Sequence, residues 1–419
     1  MKVTVVGGGS TYSPELVQGF GGVADRLGVD ELVLQDPDAQ RLEVVGGAAR
    51  RIASAHGFHG RLTLTTELDA AVEGASAVLL QIRVGGQAAR HSDETIPLRC
   101  GCVGQETTGA GGFAKALRTV PVVLDIADRV RRLAADDAWI VDFTNPVGIV
   151  TRALLDHGHR AVGLCNVAIG FQRLFAAWLG VTPDVVQLGH AGLNHLTWIR
   201  SVQVDGEDAL PALLRNHGDE IAAHVELPRR IIDNLEAVPS YYLRYYYQHD
   251  LVVQELLESP SRAEEVMKVE QELLELYRDP QLHDKPDLLM QRGGAYYSEA
   301  ALNLLGSLFG DTPDVQVVDV QNNGVIPELP ADAVIEVPAL VKPSGPEPLP
   351  VPVLAPHQAG LIAHTSAYEA LTAEAAVTGD REVAFRALLT HPLIGQSGLA
   401  EQLLTDLLDA NRTFLPAFA

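Results

Sequence analysis

In the first third of the chain, short apolar runs alternate with stretches whose apolar residues recur at helical spacing. Residues 2–6, 31–36, 62–65, 77–82 and 139–143 read as buried strands. Helical spacing fills residues 39–56, and a shorter helix is expected near 68–72. Ser13, Pro14 and Glu15 read as a helix start, because proline suits the first turn and an acid there meets the positive end of the helix dipole. Strand and helix in repetition predict a parallel, doubly wound sheet with right-handed crossovers. Residues 160–164 add one more short strand, which puts Cys165 and Asn166 at or just past its carboxyl end. Open α/β sheets bind their ligands at that edge.

Beyond about residue 180 the alternation stops. Strands are expected near 185–188 and 196–204, with Asp205-Gly206 as a turn, followed mostly by helices at 262–277, 295–309, 357–377, 381–389 and 399–410. The Pro-rich run 343–356 carries interleaved Val and Leu and reads as an extended segment packed on the protein. The expected fold is therefore α/β. A Rossmann-like, doubly wound parallel sheet of the lactate and malate dehydrogenase type occupies residues 1–166, and a mixed α+β, mainly helical C-terminal domain occupies residues 167–419.

A chain of 419 residues supports two such domains or one large one. No run reaches the roughly 18 apolar residues of a membrane span, and the first residues enter a strand without the apolar core of a signal peptide. A cytoplasmic protein with no membrane partner is expected. The net charge of −23 argues against nucleic acid as a partner, since that binding rests on a basic footprint. Cys100, Cys102 and Cys165 form no closed disulfide framework and suit a reducing compartment.

Candidate chemistry gathers at the strand ends. Gly7, Gly8, Gly9, Ser10 and Thr11 make a glycine-rich turn between strand and helix, where backbone N–H groups can approach a pyrophosphate. Tyr12 stands where the usual GxGxxG pattern has its third glycine, and many glycine turns bind nothing. Asp36, ending the second strand, is placed to bond an adenosine ribose and favours NAD over NADP. Asn145, in Thr144-Asn145-Pro146, tips the 139–143 strand at the nicotinamide or substrate end of the same edge. Residues 83–90 and 104–112, polar and rich in glycine, read either as a substrate loop or as a solvated excursion. Cys165 and His195 can share a divalent metal as thiolate and neutral imidazole, or serve as a structural cysteine and a satisfied core histidine. Tyr242, Tyr245 and Tyr246 share a face at helical spacing; such clusters usually pack, yet a phenol acts as a base where a cation stabilises the phenolate.

Taken in order, GGGSTYSPEL, QIRVGGQAARHSDETIPL, GQETTGAGG, FTNPVGIVT, GLCN, GLNH, SYYLRYYY, QRGGAYYS and NNG resemble glycoside hydrolase family 4, the NAD-dependent glycosidases, across essentially the whole chain. The Cys165-Asn166 pair is similar to the 6-phospho-β-glucosidase branch, whereas α-acting relatives more often carry Asp after the cysteine. The resemblance implies hydrolysis of a phosphorylated β-glucoside or disaccharide such as cellobiose 6-phosphate, with NAD+ and Mn2+ or another divalent metal, in a homodimer or homotetramer. In the implied mechanism NAD+ oxidises C3, the metal stabilises the enolate formed when a base removes the C2 proton, and the aglycone leaves C1. Water then adds and the hydride returns. The resemblance also implies Cys165 and His195 as metal ligands, Tyr242 as the C2 base, and Glu106 as a supporting group or an aid to aglycone departure. Asn166 would read sugar hydroxyls, with Ser10, Arg90, Asn145 and Arg262 around the phosphate. Bidentate pairing makes the arginines the strongest phosphate partners. Softness alone would favour Zn2+ or Fe2+ at a thiolate–imidazole pair, so Mn2+ is implied by the family only.

Two other readings fit part of the chain. A 2-hydroxy-acid dehydrogenase of the malate or lactate type suits the N-terminal half but leaves Cys165, His195 and the tyrosines unexplained. A non-catalytic, NAD-responsive binding protein would be expected to lack the metal pair or the base, and Cys165, His195 and Tyr242 are all present.

Overall fold

The structure, a computed structural model, describes residues 1–294, 296–310 and 313–418. The first half builds β1 (Lys2–Val6), α1 (Ser13–Leu27), β2 (Glu31–Gln35), α2 (Ala39–Ala55), β3 (Arg61–Thr65), α3 (Leu68–Val72), β4 (Ala77–Leu80), α4 (Gly86–Thr95), α5 (Gly109–Leu133), β5 (Trp139–Asp142), α6 (Val147–Asp156) and β6 (Ala161–Gly163). Its strands pair in parallel in the order β3-β2-β1-β4-β5-β6. In that arrangement the strand order reverses between β1 and β4, and a crevice opens at their carboxyl ends. Val3, Val5, Val6 and all of β4 are buried, because helices cover both faces of a parallel sheet. The helices start and stop on local chemistry. Asp38 caps α2 by accepting the Arg41 N–H at 3.0 Å, and Gly28 ends α1 in the left-handed conformation.

Residues 83–112 are not the open loop that their composition suggests. Gly85 starts α4, and the glycines at 109, 111 and 112 form the first turn of α5. A Cβ on Gly111 would lie 2.2 Å from the Gln105 carbonyl oxygen, and one on Gly112 would lie 2.6 Å from the Thr107 carbonyl carbon. Glycine is dense here because backbones approach closely, not because the segment is free. Arg118 on α5 holds α4 in place, donating from Nη1 to Asp93 Oδ1 at 2.8 Å and to Asn411 Oδ1 at 3.1 Å.

The second half begins with α7 (Val167–Leu179) and the hairpin of β7 (Val186–Leu193) and β8 (Leu196–Val204), then β9 (Glu207–Asp208), α8 (Leu210–His224), α9 (Arg229–Leu235) and β10 (Val238–Pro239). It continues through α10 (Arg244–Tyr247), α11 (His249–Glu258), α12 (Arg262–Tyr277), α13 (Leu289–Arg292), α14 (Tyr297–Phe309), β11 (Asp314–Gln321), β12 (Val334–Lys342) and β13 (Gly345–Pro348). Three helices close it: α15 (Pro356–Thr378), α16 (Arg381–Thr390) and α17 (Ser397–Ala410). The helix expected at 295–309 is α14; Ala295 lies outside the described residues. β7 runs past the expected 188 to Leu193. The pairing with β8 shifts register between Leu188 and His190, which breaks the apolar alternation at Gly189 and hides the continuation. Part of the Pro-rich run is β13, antiparallel to β12.

The late strands extend the first sheet instead of forming another. β11 meets β6 at Asp319 opposite Gly163, and β12 meets β7 at Glu336 opposite Gly192, so the order continues β6-β11-β12-β7-β8-β10. The first seam needs its glycine, since a Cβ on Gly163 would lie 2.8 Å from Asp319 Cβ on β11. Gly192 serves the hairpin instead: a Cβ there would lie 2.1 Å from the Leu196 carbonyl oxygen on β8. The seams bring the β7–β8 tip, with His195, to the carboxyl end of β6, where Cys165 follows. Among the described residues, no helix is long and apolar enough to cross a membrane.

The side chains of Arg118 and Asp93 are both 0% exposed. Arg118→Met leaves a buried carboxylate unpaired and should destabilise the fold by about 3–5 kcal/mol in urea unfolding. Adding Asp93→Leu should recover much of that loss.

Candidate active site

One cleft of about 1390 Å³ is lined by Gly7, Ser10, Asp36, Arg90, Glu106, Asn145, Asn166, Tyr242 and Arg262, together with Arg83, Lys115, Arg292 and Tyr297. The sequence-derived candidates therefore meet in one place. Gly8, Gly9, Thr11, Cys165 and His195 are buried and do not line it, although His195 stacks on the lining residue Tyr242.

The glycine turn is held open by tight packing. Gly7 sits at φ +90°, and a Cβ there would be 2.7 Å from the Gln81 carbonyl oxygen; one on Gly8 would be 2.7 Å from Leu34 Cβ. Gly9 N–H donates to Asp36 Oδ2 at 3.0 Å, so the acid that ends the β2 run also closes the turn. The far half of the chain braces it. Tyr277 on α12 donates to the Thr11 carbonyl at 2.6 Å, and Glu270 accepts from Arg41 at 3.2 Å and Arg292 at 3.1 Å. Arg41 in turn donates to the Gly9 carbonyl at 2.7 Å, and Arg292 reaches Ser10 Oγ at 3.4 Å.

Cys165, His195 and Tyr242 form a second group. His195 occupies the left-handed conformation at the hairpin tip, φ 64°, and its ring stacks on Tyr242 with centroids 3.6 Å apart and planes 10° from parallel. Its Nδ1 lies 2.9 Å from Thr107 Oγ1. Asn194 hydrogen-bonds Cys165 and donates to Glu336 Oε2 at 2.7 Å. Burial pushes the Cys165 thiol and the Tyr242 phenol well above their usual ranges and pulls His195 down to about 3. All three are thus neutral near pH 7. A divalent cation would favour thiolate and phenolate, and neutral imidazole is already the ligating form.

The third group is cationic. Glu106 pairs with Arg83, with Lys115 Nζ at 2.6 Å and with Arg90 Nη2 at 3.2 Å; Arg90 Nε also donates to Glu94 at 2.7 Å. Burial opposes its charge, but the three cations hold the Glu106 carboxyl well below the usual range. Burial and Arg83 pull Lys115 down to about 7, with Glu106 pushing back. A carboxylate so held has no proton to give near neutral pH, which favours a supporting role over aid to a leaving group. Arg262 donates to Glu265 at 2.8 Å and to the Gln291 carbonyl at 2.6 Å.

The family 4 glycosyl hydrolase pattern matches residues 2–181, and the C-terminal domain pattern of the same family matches residues 190–394. A probable 6-phospho-beta-glucosidase of Bacillus subtilis is 41% identical over 433 residues, covering 100% of this chain and 98% of its own length. This chain belongs to the family 4 glycosyl hydrolases. The 6-phospho-beta glucosidase of Thermotoga maritima, solved with manganese, NAD+ and glucose-6-phosphate, superposes on this family 4 chain with a TM-score of 0.93. It is 35% identical, with 99% of each chain covered. Malate dehydrogenase of Plasmodium falciparum shares the fold at a TM-score of 0.54 and 12% identity, covering 90% of this chain and 99% of its own.

Sequence reasoning missed Arg83, Lys115, Arg41, Glu270 and Arg292 in this family 4 site. Arg83 stands inside a motif already singled out, as Arg292 does in QRGG, so unassigned charges in those motifs were the available signal; Lys115 lies about one helical turn past the end of GQETTGAGG. Arg41 and Glu270 carry none, since they meet only through the tertiary fold.

His195 titrates at about 3 in the fold against 6.5 when free, and His391, also buried, falls to about 3. As the pH drops through 6.5 the unfolded chain takes up protons first. Stability that is fully present above that value is therefore lost progressively toward pH 3. The urea midpoint of the metal-free enzyme should fall between about pH 7 and about pH 4. His195→Asn, which tolerates the left-handed backbone, should show a smaller fall.

Proposed function

We propose that this family 4 chain hydrolyses a 6-phospho-β-glucoside, with NAD+ and a divalent cation such as Mn2+ bound in the cleft. Its relatives carry that activity in their names, and the Thermotoga structure contains manganese, NAD+ and glucose-6-phosphate. The observation that carries the reading is the meeting, in one cleft, of a dinucleotide-type glycine turn, arginines 90 and 262, and Tyr242, whose ring stacks on that of His195 behind it.

The residues fit both groups. The glycine turn leads into the amino end of α1 and lines the cleft with Gly7 and Ser10, where a helix N-terminus can meet a pyrophosphate. Among the described residues no three His, Cys, Asp or Glu could hold a metal, so Cys165 and His195 would supply a minimal grip. Asn145 Oδ1, buried without a hydrogen-bond partner, suits a sugar hydroxyl or the cation itself. When bound, NAD+ supplies a hydride acceptor for C3 and the cation supplies the Lewis acid that makes the C2 proton removable.

The chain's own groups do the rest. Tyr242 removes the C2 proton, and Asn166 reads hydroxyls on the same sugar. Arg90, Arg262, Ser10 and Asn145 take the phosphate, the arginines contributing charge and the others donors. Glu106 keeps Arg83, Arg90 and Lys115 together in the wall. We take residues 1–166 as the dinucleotide-binding part and 167–419 as the part that completes the metal and substrate site, in a homodimer or homotetramer. The hydroxy-acid dehydrogenase reading retains only a likeness of fold.

An aryl 6-phospho-β-glucoside should be cleaved only when NAD+ and Mn2+ are both supplied, and its unphosphorylated counterpart should not be cleaved detectably. Cleavage that needs no NAD+ would sink the proposal. Tyr242→Phe should slow C2 proton exchange with solvent by about 10²-fold or more while leaving NAD+ affinity unchanged. Near-normal exchange in that variant would remove Tyr242 as the base.

A further inference from the structure

Gln105 and Thr107 flank Glu106 in the turn before α5, and neither has a part in the chemistry above. Gln105 Oε1 accepts the N–H groups of Thr107 at 2.5 Å and Thr108 at 2.7 Å, and the Thr107 hydroxyl at 2.8 Å. Two backbone donors identify that atom as the amide oxygen. A hydroxyl facing a carbonyl oxygen must donate its single proton there, so Thr107 Oγ1 presents only lone pairs to His195 Nδ1, 2.9 Å away. Of the two neutral tautomers of His195, only the one protonated at Nδ1 makes a hydrogen bond in that geometry; the other sets lone pair against lone pair.

The turn is built to stay in this arrangement. Gly111 and Gly112 let it lie directly on the first turn of α5, where a Cβ at either position would meet the backbone of Gln105 or Thr107. Glu106, between the two, is fixed by Lys115 and Arg83.

We propose that Thr107 is a positioning residue: held by Gln105, its hydroxyl fixes His195 as the Nδ1–H tautomer and so reserves Nε2 for a metal ion. The metal half of this inference rests on the functional reading above; the tautomer does not. Outer partners of this kind orient a ligating imidazole, and their loss typically weakens metal binding about 10–100-fold.

The test uses the full-length enzyme, its NAD+ complex and Mn2+ alone as the probe. Electron paramagnetic resonance counts free Mn2+, and long-range proton–nitrogen spectra of the histidine-labelled, metal-free protein report which ring nitrogen of His195 is protonated. Wild type should be protonated at Nδ1. Thr107→Val, nearly isosteric, should bind Mn2+ about 10–100-fold more weakly and lose the Nδ1–H signature, with NAD+ affinity unchanged. Thr107→Ser should restore both to within about threefold of wild type.

Wild-type Mn2+ affinity in Thr107→Val, or Thr107→Ser as weak as Thr107→Val, overturns the assignment. So does a metal-free wild type protonated at Nε2, a measurement that needs no variant to fold. Wild type that binds no Mn2+ through His195 overturns the metal reading instead, and the metal-free spectrum then judges Thr107 by itself.

Discussion

Arg83, Arg90 and Lys115 converge on one carboxylate, that of Glu106, in the largely buried wall of the cleft. Gathered out of solvent, the cations would repel one another and each would bear a desolvation penalty. Glu106, with Glu94 on Arg90, makes the cluster tolerable: three basic groups face two carboxylates, in a chain whose net charge is −23. A small positive region in an acidic protein focuses the field on the cleft, where a phosphorylated substrate would arrive. The cluster also ties α4, which carries Arg90, to α5, which carries Lys115, and so sets the shape of the wall. Behind it, Cys165, His195 and Tyr242 are all neutral. Cationic wall and neutral recess are two answers to the same burial: one brings its counter-charge along, the other carries no charge.

Much of the fold was legible because it is local. The α3 and α12 bounds follow directly from apolar spacing, with Ser261 and Glu264 forming the capping box that starts α12. β1, β2 and their glycine turn could be read for the same reason. The continuation of the sheet could not. Its seams join residue 163 to 319 and 192 to 336, each by a single pair, and no periodicity records so thin a contact across such a separation. The stretch from 104 to 112 misled for a different reason: glycine that permits close packing and glycine that permits motion look alike in a sequence.

The site divides in the same way. Residues proposed to act through their own chemistry, such as Cys165, His195 and Tyr242, announce themselves by type and by motif. Residues that act by holding others do not. Arg41, Glu270 and Arg292 became visible only when the fold placed them around the glycine turn, and Lys115 only when Glu106 was seen to need it.

The brace on that turn has a consequence in time. Thr11 and Glu270 are separated by 259 positions, and Ser10 and Arg292 by 282. A ribosome that has finished the six parallel strands has produced a cofactor cradle held by Asp36 and Arg41 alone, without the grip that α12 and α13 supply. The grip arrives only as the nascent chain emerges past α13, so the capacity to hold a nucleotide matures late in synthesis, together with the half of the protein that would use it.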